Sequence, residues 1–93
     1  IELHTGEYAN SERPSARRDA EQRLAATAEL AAGLGLAVHA GHGLTYENVA
    51  PVAAIGPVEE LNIGHSIVSR AVLTGLESAV RQMKEIVLRA RDS

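Results

Sequence analysis

The chain has 93 residues, 45% of them hydrophobic and 23% charged, which suits one folded domain or a piece of a larger one and excludes a disordered tail. Against 12 Asp and Glu stand 9 scattered Lys and Arg, a formal charge of -3, so the electrostatic footprint of a nucleic-acid or anionic-membrane binder is missing. Cysteine is absent, no apolar run approaches the roughly 20 residues of a membrane span, and the N-terminus lacks a signal-peptide layout; the chain reads as soluble and untargeted, compatible with a reducing cytoplasm.

The opening residues 1–5 predict a strand, in which Ile1 and Leu3 alternate with Glu2 and His4 and the two pairs lie on opposite faces. Starting directly on a strand, the chain reads as the tail of something longer. Residues 6–14 are polar and predict a loop. Pro14 marks a helix start, and from Ala16 small apolar residues recur at Ala20, Leu24, Ala28 and Ala31, giving a helix to about Ala32. Gly33 and Gly35 are expected to supply left-handed positions that close it. A second strand follows over 36–41, then GHGLTY, then Asn48 as N-cap of a short helix from Val49 to Ile55 with Pro51 in its first turn. Gly56 and Pro57 end that helix, and ELNIG, residues 60–64, predicts the third strand. Ile67 to Val72 make a further short turn or two. Thr74 and Glu77 then form a capping box for a last helix whose Leu76, Ala79, Val80, Met83, Ile86, Val87 and Ala90 keep helical spacing.

Three successive units of strand, Gly- and His-containing turn and helix make a βα repeat. Right-handed crossovers then put the three strands in one parallel sheet with every main helix on one face. The other face is either covered by helices of a doubly wound domain or becomes the interior of a (β/α)₈ barrel, which needs roughly 250 residues. No capping elements of a small independent domain are visible, so the pattern favours three of the eight units of a barrel.

Three of the four histidines stand at predicted strand ends, in His4-Thr5-Gly6, Gly41-His42-Gly43 and Gly64-His65-Ser66, where α/β sheets bind ligands. Gly64 and His65 precede an additional short helix, an arrangement that holds a phosphate on free backbone N–H groups; the competing reading is a tight turn with a solvated histidine. By strand parity His42 should point where Val38 and Ala40 point, into the top of a barrel, as a general acid or base or as a hydrogen-bonded structural histidine. Glu2 is a carboxylate inside a strand, either useful or held by a barrel-interior Lys or Arg from the part of the barrel outside these 93 residues. Glu2, His4, His42 and His65 do not show a metal-ligand spacing such as HxH or HExxH, and His65 with Ser66 lacks the elbow of a serine nucleophile. Tyr8 and Tyr46 are too few for a nucleic-acid stacking platform.

In order, IELHTGEYA, LGLAVHAGHGLTYENV and ELNIGHSIVSRAVLTGLESAV resemble the C-terminal third of the pyridoxine 5′-phosphate synthase family of vitamin B6 biosynthesis. The resemblance implies an α/β fold in which residues 1–93 form a partial TIM-barrel domain, strands six to eight of a (β/α)₈ barrel. It implies a transferase that condenses 1-deoxy-D-xylulose 5-phosphate with 3-amino-2-oxopropyl phosphate, releasing phosphate and water, without metal or organic cofactor. It assigns His42 as proton donor and Glu2 as transition-state stabiliser. Gly43 would contact the amino-ketone phosphate through its backbone, and Gly64 and His65 the deoxyxylulose substrate. The implied partners are small phosphorylated substrates and further copies of the chain, as a homo-octamer in the cytoplasm. His39 and Glu7 receive no catalytic role. Since the family's first five strands, with basic residues and a mobile loop, have no counterpart in these 93 residues, the segment alone is expected to be inactive. The alternative from another class is a non-catalytic phosphate-binding or scaffold segment, which would use Gly64 and His65 but not depend on His42.

Overall fold

A computed structural model describes residues 1–92. Strands β1 (Glu2–His4), β2 (Val38–Gly41) and β3 (Val58–Asn62) form one parallel sheet in the order β1-β2-β3. The helices are α1 (Gly6–Asn10), α2 (Pro14–Gly33), α3 (Val49–Ala53), α4 (His65–Thr74) and α5 (Leu76–Arg91). Cross-strand pairing sets Glu2 beside His39 and His39 beside Glu60, with Leu3, Ala40 and Leu61 in the next row and His4 and Asn62 flanking Gly41 in the one after.

Because successive side chains of a strand alternate between faces, these rows are chemically distinct. Leu3, Val38, Ala40 and Val58 are buried in one cluster with Ala20, Ala28 and Ala31 of α2, Val49 and Val52 of α3, and Met83 of α5. The helices therefore cover that face. Glu2, His4, Glu60 and Asn62 are exposed and His39 half-buried on the other. The row parity slips once: Val38 pairs with Val58 but His39 pairs with Glu60, so Glu59 is an extra residue in β3. This bulge lets Val58 reach the core and still turns Glu60 and Asn62 outward.

Several boundaries differ from the sequence expectation. The first two strands are shorter, and the third begins and ends two residues earlier than 60–64, leaving Ile63 and Gly64 as its exit. The supposed loop 6–14 contains α1, whose Tyr8 is buried against the core and donates from its hydroxyl to Asn48 O at 2.6 Å. Gly33 is the last residue of α2, and of the two glycines only Gly35 is left-handed, at φ 81°. The capping box at Thr74 is not formed. Thr74 belongs to α4, where its hydroxyl donates back to Arg70 O at 3.1 Å, and Gly75 at φ 87° makes the sharp break before α5, which an L residue would adopt only with strain. Asn48 does stand at the N-cap of α3, but its side chain serves the preceding loop, accepting from Thr45 N at 2.7 Å and donating to Gly43 O at 3.2 Å.

The last helix closes the layer. Ala79 and Met83 are buried and Ile86 and Val87 pack on the core, while Arg91 donates to the carbonyls of Ala53 at 3.1 Å, Ile55 at 2.9 Å and Gly56 at 3.3 Å. Its guanidinium satisfies orphan acceptors at the end of α3 just before β3 begins.

Candidate active site

At the carboxyl ends of the strands lies an open cavity of about 1010 Å³, lined by Glu2, His42, Gly43, Leu44, Thr45, Asn62, Ile63, Gly64, His65, Ser66 and Ser69. All five residues singled out from the sequence, Glu2, His42, Gly43, Gly64 and His65, line it. Each reaches the cavity for a different local reason.

Glu2 stands on the uncovered face of β1, and its Oε2 accepts a hydrogen bond from Asn62 Nδ2 at 2.6 Å. Among the described residues, the partner of this carboxylate is a neutral amide from two strands away. His42 reaches the cavity by breaking parity. Val38 and Ala40 face the helices, so continuing their alternation would have buried the imidazole there. Instead His42 has φ 102°, a strained region for a residue with a Cβ, and its exposed ring turns to the open side. The strain is held by buried Thr5, whose hydroxyl donates to His42 O at 2.6 Å. Thr5 N also donates to Gly41 O at 2.9 Å.

Next to His42 stands His4, the two rings stacked with centroids 4.2 Å apart and planes inclined by 28°. His4 Nδ1 accepts from Gly6 N at 3.3 Å. A Cβ on Gly6 would come within 2.7 Å of His4 Cε1 and 3.1 Å of His42 Cδ2, so this glycine makes room for the pair. His39, by contrast, lies one row deeper, where its Nε2 stands 3.3 Å from Glu60 Oε2 and outside the cavity lining. Glu7, exposed on α1, forms an ion pair with Arg23 of α2.

Gly64 is the N-cap of α4 and has no side-chain cap, so the first-turn amides of the helix, starting with His65, open toward the cavity that Gly64, His65 and Ser66 line. Nothing lies within 4 Å of where a Cβ on Gly64 would be. The helix itself is braced against the loop after His42. Tyr46 donates to Ala79 O at 2.7 Å, and the Arg70 guanidinium lies 3.9 Å over its ring while hydrogen-bonded to Gln82 at 2.8 Å. A strand-end imidazole, a carboxylate and a helix start are thereby fixed around one space, enough for proton transfer beside a bound anion. Among the described residues, no group of three or more His, Asp or Glu side chains is gathered as a metal site.

A family model described as "Pyridoxal phosphate biosynthesis protein PdxJ" matches residues 1–89. This chain belongs to the PdxJ family. Two similar relatives, from Sulfurihydrogenibium sp. and Aliivibrio fischeri, are both named pyridoxine 5′-phosphate synthase and are 54% and 55% identical to it over 91 residues. Those residues are 98% of this chain but 37% of each relative, so the chain spans little more than a third of the length of the curated relatives it matches.

Within this PdxJ-family chain, the sequence reading overlooked the residues that aim the others. Thr5, Gly6 and Gly41 act through backbone and space, which no side-chain chemistry advertises. Asn62 carried a signal: it is the polar residue between Leu61 and Ile63, a strand position whose alternation faces it away from the core, toward Glu2.

Proposed function

We propose that this chain forms strands six to eight of a (β/α)₈ barrel that works as a pyridoxine 5′-phosphate synthase, a transferase joining 1-deoxy-D-xylulose 5-phosphate to 3-amino-2-oxopropyl phosphate. The observation that carries the reading is the convergence of Glu2, His42, Gly43, Gly64 and His65 on one cavity at the strand ends. The helices cover one face of the sheet and leave the other free, as the wall of a barrel requires. The names of the two relatives support the activity, and nothing in the fold favours a non-catalytic scaffold instead.

The residues suit the chemistry. Imine formation, loss of water and enolisation each move a proton, and an imidazole on a rigid strand end can deliver one; His42 is the proton donor. Glu2, fixed by Asn62, offers a negative charge to cationic iminium character developing in the transition state. The two substrates bring two phosphates. The first-turn amides of α4 with His65 receive the deoxyxylulose phosphate, Gly64 permitting its close approach, and the backbone of Gly43 contacts the amino-ketone phosphate. In this reading the protein acts in the cytoplasm and assembles as a homo-oligomer, up to the octamer that the resemblance suggests. The exposed apolar side chains of Val72, Leu73 and Leu76 on α4 and α5 support association. Residues 1–93 alone, lacking five units of the proposed barrel, do not turn over.

The test is made on a complete barrel that carries this chain, supplied with both phosphorylated substrates while inorganic phosphate and the pyridine product are followed together. Phosphate and ring product should appear one for one. Absence of the ring product, or phosphate release without it, overturns the assignment.

A further inference from the structure

The hydrogen bond between Asn62 and Glu2 runs from the third strand to the first, across the strand that lies between them. Such a reach is normally blocked, because the intervening strand carries its own side chain in the same row and on the same face. Here that residue is Gly41, the register partner of both His4 and Asn62. A Cβ on Gly41 would stand 2.8 Å from Asn62 Cβ and 2.9 Å from Asn62 O. The room for the Asn62 side chain to lie over β2 exists because residue 41 has none.

We infer that Asn62 is a positioning residue for the Glu2 carboxylate, and that Gly41 is the gap through which it acts. The assignment rests on the proposed role of Glu2 in the synthase reaction. Glu2 is exposed on its face, and a free glutamate there has several rotamers to choose from. One short bond at 2.6 Å from an amide N–H to Oε2 selects one of them. Both residues of this bond line the cavity. An amide suits the task better than Lys or Arg would. It orients the carboxylate without cancelling the negative charge that the proposed transition state uses.

The experiment is a double-mutant cycle on a complete barrel carrying this chain, with Asn62→Ala, Asn62→Leu, Glu2→Gln and the combinations, read as kcat and KM for both substrates. Thermal transitions of each variant verify folding. Asn62→Ala and Asn62→Leu should each lower kcat about 10-fold with little change in either KM, the size expected for a hydrogen bond to a charged group. In the Glu2→Gln background the same changes should cost less than about 2-fold, because the carboxylate to be oriented has gone. If Glu2→Gln lowers kcat strongly while the Asn62 variants keep it, or lower it equally in both backgrounds, Asn62 does not position Glu2 and the inference falls alone. If Glu2→Gln leaves kcat unchanged, the role proposed for Glu2 falls and the inference with it.

Discussion

The two faces of the sheet are built from the same strands in alternate residues, yet they are held by different forces. On the covered face, Leu3, Val38, Ala40 and Val58 are fixed by close packing against three helices, where every methyl group has neighbours and removal leaves a hole. On the open face, Glu2, His4, His42 and Asn62 are fixed by a few directional contacts: one amide–carboxylate hydrogen bond, one ring stack and the hydrogen bond from Gly6 N to His4. The first face should lose stability gradually with lost volume and leave the chemistry alone. The second should lose chemistry abruptly with little loss of stability.

The division between the two faces is most exposed to test at His42. In a complete barrel, His42→Asn should lower kcat by roughly 100-fold or more, with small changes in KM and in the thermal midpoint, because proton delivery is lost while the anion sites remain. Near-normal turnover would return His42 to the structural residues. On the other face, Val38→Ala should cost about 2 kcal/mol in denaturant unfolding and leave kcat within about 2-fold, since the side chain packs among helices and does not line the cavity. A collapse in kcat would show that the faces are not independent.

His65→Ala sharpens the division within the open face. It should raise KM for the deoxyxylulose phosphate about 10-fold, more than it lowers kcat, as loss of an anion contact does. The opposite split would exchange the roles of His65 and His42. Gly64→Val should be worse for binding and neutral for folding, because the space beside Gly64 is empty until a ligand occupies it.

The smallest effect is expected at Tyr8, behind the covered face. Burial first, and then the Glu21 carboxylate, raise its hydroxyl above the ordinary value of 10.0, with Arg17 acting in the other direction. The folded state therefore holds this proton more tightly than the unfolded chain. Its contribution is complete below about pH 10 and is lost as pH rises through the raised value. Tyr8→Phe should cost about 1 kcal/mol at pH 7 through the orphaned Asn48 carbonyl, and the gap to the unsubstituted protein should narrow as pH rises through the raised value. A gap constant with pH would mean that the hydroxyl does not titrate within the fold.

What the sequence made legible was the repeat and the place of the cavity, because both depend on local pattern. Strand-end glycines beside histidines, and helices with a regular apolar stripe such as Ala79, Met83, Ile86 and Val87, are written in adjacent residues. What it concealed depends on parity and on neighbours distant along the chain. The start of β3 was hidden because Gly56 and Pro57 read as a break and Glu59 precedes Glu60, and a strand can carry two successive outward charges only with a bulge. His42 was expected to continue the direction of Val38 and Ala40, but those two face the helices, and a left-handed backbone held by Thr5 carries the imidazole to the other side. Helix α1 begins on a glycine and ends on an asparagine, residues that ordinarily signal a loop; it forms because Tyr8 finds both a core and the Asn48 carbonyl. Thr74 had the spacing of a cap, but a neighbouring glycine that could take the left-handed turn displaced it.

The extra residue at Glu59 gives β3 one residue more than its pairing with β2 requires. Val38, His39, Ala40 and Gly41 are opposed by Val58, Glu60, Leu61 and Asn62, so loss of Glu59 would leave those four in plain alternation, with Val58 and Leu61 toward the helices and Glu60 and Asn62 toward the open face. Both the core contact of Val58 and the reach of Asn62 to Glu2 are then compatible with a strand shorter by one. The bulge is slack in the chain, a place where length can change by one residue without rotating the site.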